Sequence, residues 1–222
     1  GGETQSVFNL GLLLFCALLF GVLATYLLLF CQSFLHHPKN LLLLLVLMVS
    51  FIALTELQAS TGLFPIQVIP YVMLLLLLRI FFGSHLALNA YLITILISAY
   101  FVPAEPLTFI FIQVAAGFTA LFSLQSLTSR GQIIKAAFIV YLIYIGASMV
   151  IQLIHEDSIT SDYWIQLLYY GINLIFLMFS YILAFVIERI FDYVSNIRLV
   201  ELSDTNMPLL QELSEIAPGT FQ

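Results

Sequence analysis

The amino-acid sequence predicts an all-α fold: a polytopic membrane protein that is a bundle of seven transmembrane helices, with the N-terminus outside and the C-terminus cytoplasmic. Of its 222 residues, 62% are hydrophobic and 8% are charged, whereas a soluble domain carries about 25% charged residues. Apolar segments near the roughly 20 residues that a helix needs to cross a bilayer recur along the chain. Basic side chains all fall on one side of the bundle that these segments form.

The apolar segments are separated by polar or proline-containing breaks. They are predicted at 7–31, 41–57, 66–82, 85–102, 107–127, 136–154 and 164–187. The third segment is short and has Pro65 and Pro70 near its start, where proline kinks a helix or confines it to the first turn. The third and fourth segments are therefore predicted as two full spans, with one re-entrant hairpin as the alternative.

Charge distribution gives the orientation. With seven spans, one side of the membrane holds every basic residue, namely Lys39, Arg79, Arg130, Lys135, Arg189 and Arg198. The other side holds no base, and its acids are Glu3, Glu56, Glu105, Glu156, Asp157 and Asp162. Since Lys and Arg are enriched in cytoplasmic loops, the basic side is cytoplasmic. A miscount of any span but the last would scatter the bases, so the partition also favours the number seven.

A few polar side chains lie within the predicted spans and are candidates for binding a small-molecule ligand: Glu56, Gln67, Gln113, Gln166 and Asn173. Polar residues inside a membrane usually face the interior of the bundle. Glu56 and the three glutamines all lie in the outer halves of their helices, which favours a pocket open to the outer leaflet. The alternative is that they only form hydrogen bonds between helices, each worth about 0.6 kcal/mol.

Several function classes are disfavoured. With 6 Lys and Arg against 12 Asp and Glu, and no basic run, nucleic acid is not an expected partner. We found no catalytic residue and no metal-binding motif such as HExxH or CxxC. Both lysines are in loops, so neither can hold a retinal-type cofactor within a span. The chain itself is therefore expected to have no enzymatic activity and no cofactor.

The chain is predicted to divide into a seven-helix membrane domain, 1–187, and a cytoplasmic juxtamembrane helix and linker, 188–222. Leu209, Leu210, Leu213 and Ile216 follow helical spacing, but a helix of about ten residues is not stable alone in water. Three blocks occur in order in this tail: LVELSD at 199–204, NMPLL at 206–210 and APGTF at 217–221. They resemble the segment that leads into the HD domain of bacterial seven-transmembrane-receptor HD phosphohydrolases, a family that includes the PgpH-type cyclic di-AMP phosphodiesterases. That family has His where Met207 stands here.

The resemblance implies a multi-pass protein of the bacterial cell membrane, with an extracellular sensor domain before residue 1 and a cytoplasmic HD hydrolase domain after residue 222. In that family the His and Asp residues that bind divalent Mn or Fe lie beyond the APGT block, so none falls within this chain. The implied function is a receptor or transducer module that couples an outside or intramembrane signal to a cyclic-dinucleotide phosphodiesterase. The expected partners are the bilayer, those two domains, a small-molecule ligand and a second copy in a homodimer.

The rival interpretation is a small-molecule transporter or a stand-alone seven-helix receptor. Transporters often contain inverted repeats with paired broken helices. Only the third segment is interrupted by proline, and the other half of the chain has no counterpart, which favours the transducer.

The predicted orientation can be tested with single cysteines, after the natural Cys16 and Cys31 are replaced by alanine. On intact cells, a cysteine at Ser158 should react with a membrane-impermeant thiol reagent, and one at Ser129 should be shielded until the cells are opened. Equal labelling at the two positions would overturn the arrangement of seven spans.

Overall fold

The computed structural model describes residues 2–35, 38–123, 130–156 and 161–191. Every regular element in these ranges is helical, so the all-α prediction is confirmed for them. The α-helices are α1 Gly2–Phe30, α2 Gln32–Leu35, α3 Pro38–Thr61, α4 Tyr71–Phe82, α5 Ser84–Tyr100, α6 Pro106–Ser123, α7 Arg130–Glu156 and α8 Ser161–Phe191, with a 3₁₀ helix at Ile66–Val68. The tail 192–222, with its three sequence blocks, lies outside the described residues, as do Ser129 and Ser158.

Five helices in the described ranges are long and apolar enough to cross a membrane. These spans are Leu10–Phe30, Pro38–Thr61, Pro106–Ser123, Ile134–Ile154 and Tyr163–Ser180. Two apolar stretches are shorter, Ile66–Phe82 and Ser84–Tyr100, and they coincide with the third and fourth predicted spans. The chain is thus a helical protein with several candidate membrane spans, and the number seven stays a prediction.

The interruption in the third segment follows from its prolines. Pro70 has no N–H and its ring excludes a helical backbone before it, so the chain forms a short 3₁₀ helix and α4 begins only at Tyr71. Gly83 ends α4 with a φ of +83°, a conformation that favours glycine, and α5 begins at the next residue. The prolines and Gly83 therefore shorten this pair of helices.

The short helices α4 and α5 form the centre of the molecule. Ten of the 12 residues of α4 are buried, including five consecutive leucines at 74–78. The longer helices have exposed apolar faces instead: α1 buries only the stripe Leu19, Leu23 and Leu27 in its described part. An exposed apolar face on a membrane protein is suited to lipid, so the long helices surround the short pair.

Arg79 lies near the end of α4 and is buried, with 7% of its surface exposed. Its Nη1 donates a hydrogen bond of 2.6 Å to the carbonyl oxygen of Leu121, near the end of α6. The last four carbonyls of a helix have no partner within the helix, and that end carries partial negative charge. The Arg79 guanidinium therefore caps α6 and fixes the ends of α4 and α6 together.

At Gly117, helix α6 lies directly against Tyr91 of α5. A Cβ atom added there would overlap the ring of Tyr91. Tyr91 is fully buried, and its hydroxyl donates a hydrogen bond of 2.7 Å to the Gln113 carbonyl one turn before Gly117. Gly146 of α7, in contrast, is exposed, with no atom within 4 Å of an added Cβ.

Replacement of Gly117 by alanine should destabilise the fold, because the ring of Tyr91 must move from its hydrogen bond. We expect a loss of about 1–3 kcal/mol in the free energy of unfolding, measured by titration with sodium dodecyl sulfate. Gly146→Ala is the matched control and should cause no loss, since it adds a methyl group to an exposed helix face. Equal losses in the two variants would contradict this account.

Candidate functional site

A cavity of about 240 Å³ lies between the 3₁₀ helix, the loop after α5, and helices α6 and α8. We call it the amide cavity, because three glutamine side chains contribute to its wall. Its lining residues are Ile66, Gln67, Val102, Ala104, Glu105, Phe109, Ile112, Gln113, Gln166 and Tyr170. The wall is thus half apolar by residue type, with a few polar groups, a composition that is common in small-molecule sites.

The structure brings three of the five predicted ligand-binding residues to this cavity. Gln67 lies on the 3₁₀ helix, Gln113 on α6 and Gln166 on α8. They are far apart in sequence, and the proline break before α4 places Gln67 beside the two long helices. The amide cavity therefore has polar groups from three separate elements, while their binding of a ligand stays a prediction.

Gln113 is held firmly in the wall and is only 3% exposed. Its side-chain Oε1 accepts a hydrogen bond of 2.9 Å from the Tyr144 hydroxyl of α7. Its backbone carbonyl accepts the bond from Tyr91 of α5. With the oxygen engaged, the Nε2 group is the part of this amide that can donate to a ligand.

Aromatic rings support the two aromatic residues of the wall. Tyr170 stacks on Tyr144, with ring centroids 4.7 Å apart and planes at 10°. Phe109 meets Tyr71 edge to face, with centroids 5.2 Å apart. The Tyr71 hydroxyl lies 2.5 Å from the hydroxyl oxygen of Thr55, which also donates to the carbonyl of Phe51. The wall therefore rests on buried tyrosines whose hydroxyls are bonded to α3 and α6.

Asn173, also predicted, does not line the cavity but lies behind it. Its Nδ2 donates to the carbonyl oxygens of Gln67 and Ile69, each at 3.2 Å. Its Oδ1 is buried and has no hydrogen-bond partner among the described residues. Asn173 thus binds α8 to the interrupted third segment, which is the helix-joining role that the alternative interpretation assigned to these residues.

Glu56 is the predicted residue that the structure separates from the others. Its side chain is exposed on α3 and is absent from the cavity wall. The adjacent residue Thr55 is the one that faces inwards, because neighbours on a helix point about 100° apart. A pattern based on depth in the membrane could not distinguish these two faces.

Sequence reasoning missed Glu105, Tyr144 and Tyr170 as parts of the site. Glu105 lies between Pro103 and Pro106, in the break after the fourth segment, and served there only as one of the acids of the outer side. Tyr144 and Tyr170 lie well inside their helices, whereas membrane tyrosines are usually found at the interface. That unusual depth was the available signal. No group of three or more potential metal ligands occurs within the described ranges.

The fold and the cavity define a class: a multi-pass helical membrane protein with a small cavity, partly apolar and partly polar, that several of its helices line. A family model described as "7TM receptor with intracellular HD hydrolase" matches residues 6–195 of the chain. The chain belongs to this family. The resemblance that the tail sequence indicated is thereby confirmed over the membrane domain.

Among curated proteins, the chain is similar to the uncharacterized protein slr0104 of Synechocystis sp. (strain ATCC 27184 / PCC 6803 / Kazusa). The two are 64% identical over 36 residues, which is 16% of this chain and 4% of that protein. The matched stretch is thus a small part of either chain. No solved structure matches the chain.

The bond between Tyr144 and Gln113 should be measurable as a coupling energy. Tyr144→Phe and Gln113→Leu should each destabilise the protein, and the double variant should lose less than the sum. The expected coupling is about 0.6–1.7 kcal/mol, the range for hydrogen bonds between membrane helices. Tyr141→Phe is the control, since its hydroxyl makes only a 3.4 Å contact with the Leu167 carbonyl. Strict additivity of Tyr144→Phe and Gln113→Leu would show that the bond is absent.

Proposed function

We propose that this chain is the transmembrane receptor and transducer module of an HD-family cyclic-dinucleotide phosphodiesterase, with cyclic di-AMP as the substrate of its hydrolase. The observation that carries the proposal is the family match over 190 residues, because that family joins a seven-helix receptor to an intracellular HD hydrolase. The divalent metals, Mn or Fe, would belong to the HD domain. The chain itself would supply sensing and coupling, in a bacterial cell membrane.

The proposal includes seven spans with the N-terminus outside. Contacts at both ends of α4 support the third of these spans. Phe82, at the end of α4, packs on Phe34 of α2, which follows the end of α1, with centroids 5.0 Å apart. Tyr71, at the start of α4, meets Thr55 near the end of α3. These contacts favour a full span for the third segment over a shallow re-entrant hairpin.

Helix α8 is the element that would carry the signal. It runs without interruption for 31 residues, a length of about 46 Å against a hydrocarbon core of about 30 Å. It continues to Phe191, beyond the predicted end of the span at residue 187. A continuous helix transmits a rotation or shift, whereas a flexible linker loses it.

The amide cavity is the proposed receptor site, because α8 contributes directly to its wall. Gln166 and Tyr170 line it, and Asn173, one turn further, binds the 3₁₀ segment that carries Gln67. A ligand that altered the spacing between these groups would act on α8 without an intermediate element. Sensing and coupling are thus assigned to one helix.

The coupling can be tested in the full-length parent protein by alanine insertion after Tyr193. One residue turns everything downstream by about 100°, whereas four nearly restore the direction and add about 6 Å. One insertion should therefore disturb regulated phosphodiesterase activity more than four. Replacement of 190–197 by a Gly-Ser sequence should abolish regulation while basal hydrolysis remains. If both insertion variants respond like the parent, or if the Gly-Ser variant remains regulated, the segment is a tether. Coupling through a rigid helix is then refuted.

A further inference from the structure

The charge that lines the amide cavity is of one sign, negative. Among the described residues, Glu105 is the only acidic or basic side chain that lines it. A bound carboxylate or phosphate would meet no positive charge in the wall, and it would lie near a negative one. Glu105 is exposed, so water screens its charge, but the sign of that charge favours a cation over an anion at this wall.

Two largely buried residues of the wall carry donors that have no partner within the described ranges and that water in the cavity can reach. The Tyr170 hydroxyl makes no hydrogen bond there although the residue is 3% exposed, and Gln113 Nε2 makes none either. Contact with a purely apolar ligand would leave both unsatisfied, at about 1–3 kcal/mol each. The ligand must therefore offer at least one hydrogen-bond acceptor.

Size and aromatic content restrict the ligand further. A cavity of about 150 Å³ accommodates benzene, so the 240 Å³ here suits a molecule of modestly greater size. Phe109 and Tyr170 supply aromatic surface, which attracts an ammonium group through the ring quadrupole. An ammonium near Glu105 and these rings would leave the acceptor end of the molecule for Gln113 and Tyr170.

We infer that the amide cavity binds a small organic amine, protonated at neutral pH, that also carries a hydrogen-bond acceptor. The inference rests on the proposed function only in that this amine would be the signal, since binding itself needs no hydrolase. The same chemistry is present in a free amino alcohol and in the ethanolamine headgroup of a lipid. The tests use the purified chain in lipid nanodiscs, so their failure leaves the insertion test of the transducer unaffected.

The first test uses a cysteine at Val102, an apolar wall position, in a background with Cys16 and Cys31 replaced by alanine. Rates of modification by 2-aminoethyl and 2-sulfonatoethyl methanethiosulfonate report cation and anion access. The ratio of cation to anion rate should be at least about fivefold higher than at Leu63→Cys, a position that is 76% exposed outside the cavity. An equal or reversed ratio, or a thiol that neither reagent reaches, would overturn the inference.

The source of this selectivity has a matched control. Glu105→Gln should bring the ratio to within about twofold of that at Leu63→Cys, because the charge in the wall is lost. Glu56→Gln removes a carboxylate that is exposed, like Glu105, but does not line the cavity, and it should leave the ratio unchanged. Equal effects of the two substitutions would assign the selectivity to the general surface and refute a cation site.

Direct binding is tested by protection of Val102→Cys from neutral methyl methanethiosulfonate. In phosphatidylcholine nanodiscs, ethanolamine should slow modification several-fold and acetate should not, which identifies a free amine as ligand. Slow modification in phosphatidylethanolamine nanodiscs that is relieved in phosphatidylcholine, with no effect of added ethanolamine, identifies the headgroup instead. Protection in neither system would overturn the ligand class.

A last variant separates binding from structure. Tyr170→Phe keeps the ring that stacks on Tyr144 and removes a hydroxyl that has no partner in the described part of the chain. Stability should therefore be retained while the protection falls by about fivefold or more. Loss of stability with unchanged protection would show that the hydroxyl is structural and would remove it from the site.

Discussion

At membrane depth there is no water to satisfy a broken backbone, and this constraint governs the centre of the molecule. Pro70 prevents a regular helix before Tyr71, and the Tyr71 N–H bonds to the Ile69 carbonyl rather than to that of Gln67. The Gln67 carbonyl then needs another donor, and Asn173 of α8 provides it while also bonding to Ile69. The proline break thereby fixes the distance between the third segment and α8. The amide cavity occupies the space beside this attachment.

Around that attachment, buried hydroxyl groups and a guanidinium join the helices. Tyr91, Tyr144 and Tyr71 each combine a large ring, which packs, with one hydroxyl that reaches another helix. Their partners are a backbone carbonyl, an amide oxygen and a threonine hydroxyl, all uncharged. Such bonds join helices with little desolvation cost, which suits a bundle that has no hydrophobic drive between lipid-facing helices. Arg79 uses its charge in the same way, on the unsatisfied end of α6.

The sequence was sufficient for the long helices and for the interrupted third segment, because length, hydropathy and proline act locally. It also grouped Gln67, Gln113 and Gln166 by their predicted depth, and all three line the amide cavity. The sequence did not show which side of a helix faces the interior. Glu56 and Thr55 are adjacent on α3, and only packing determines which of them is buried. Tyr144 and Tyr170 were missed because their relevance depends on stacking between α7 and α8, a contact that no local pattern encodes. The membrane family was recognised from tail residues that lie outside the described part.

The enclosure of α4 by longer helices has a mechanical consequence. A helix of 12 residues is about 18 Å long, whereas the hydrocarbon core of a bilayer is about 30 Å thick. Ten of those residues are buried in protein, so the surrounding lipid does not have to adapt to the short length of α4. Hydrophobic matching is instead set by the lipid-exposed helices, such as α1 and α8, whose apolar lengths are close to or above bilayer thickness. A change in bilayer thickness therefore acts first as tilt of the outer helices, α8 among them, while the short inner pair keeps its protein surroundings.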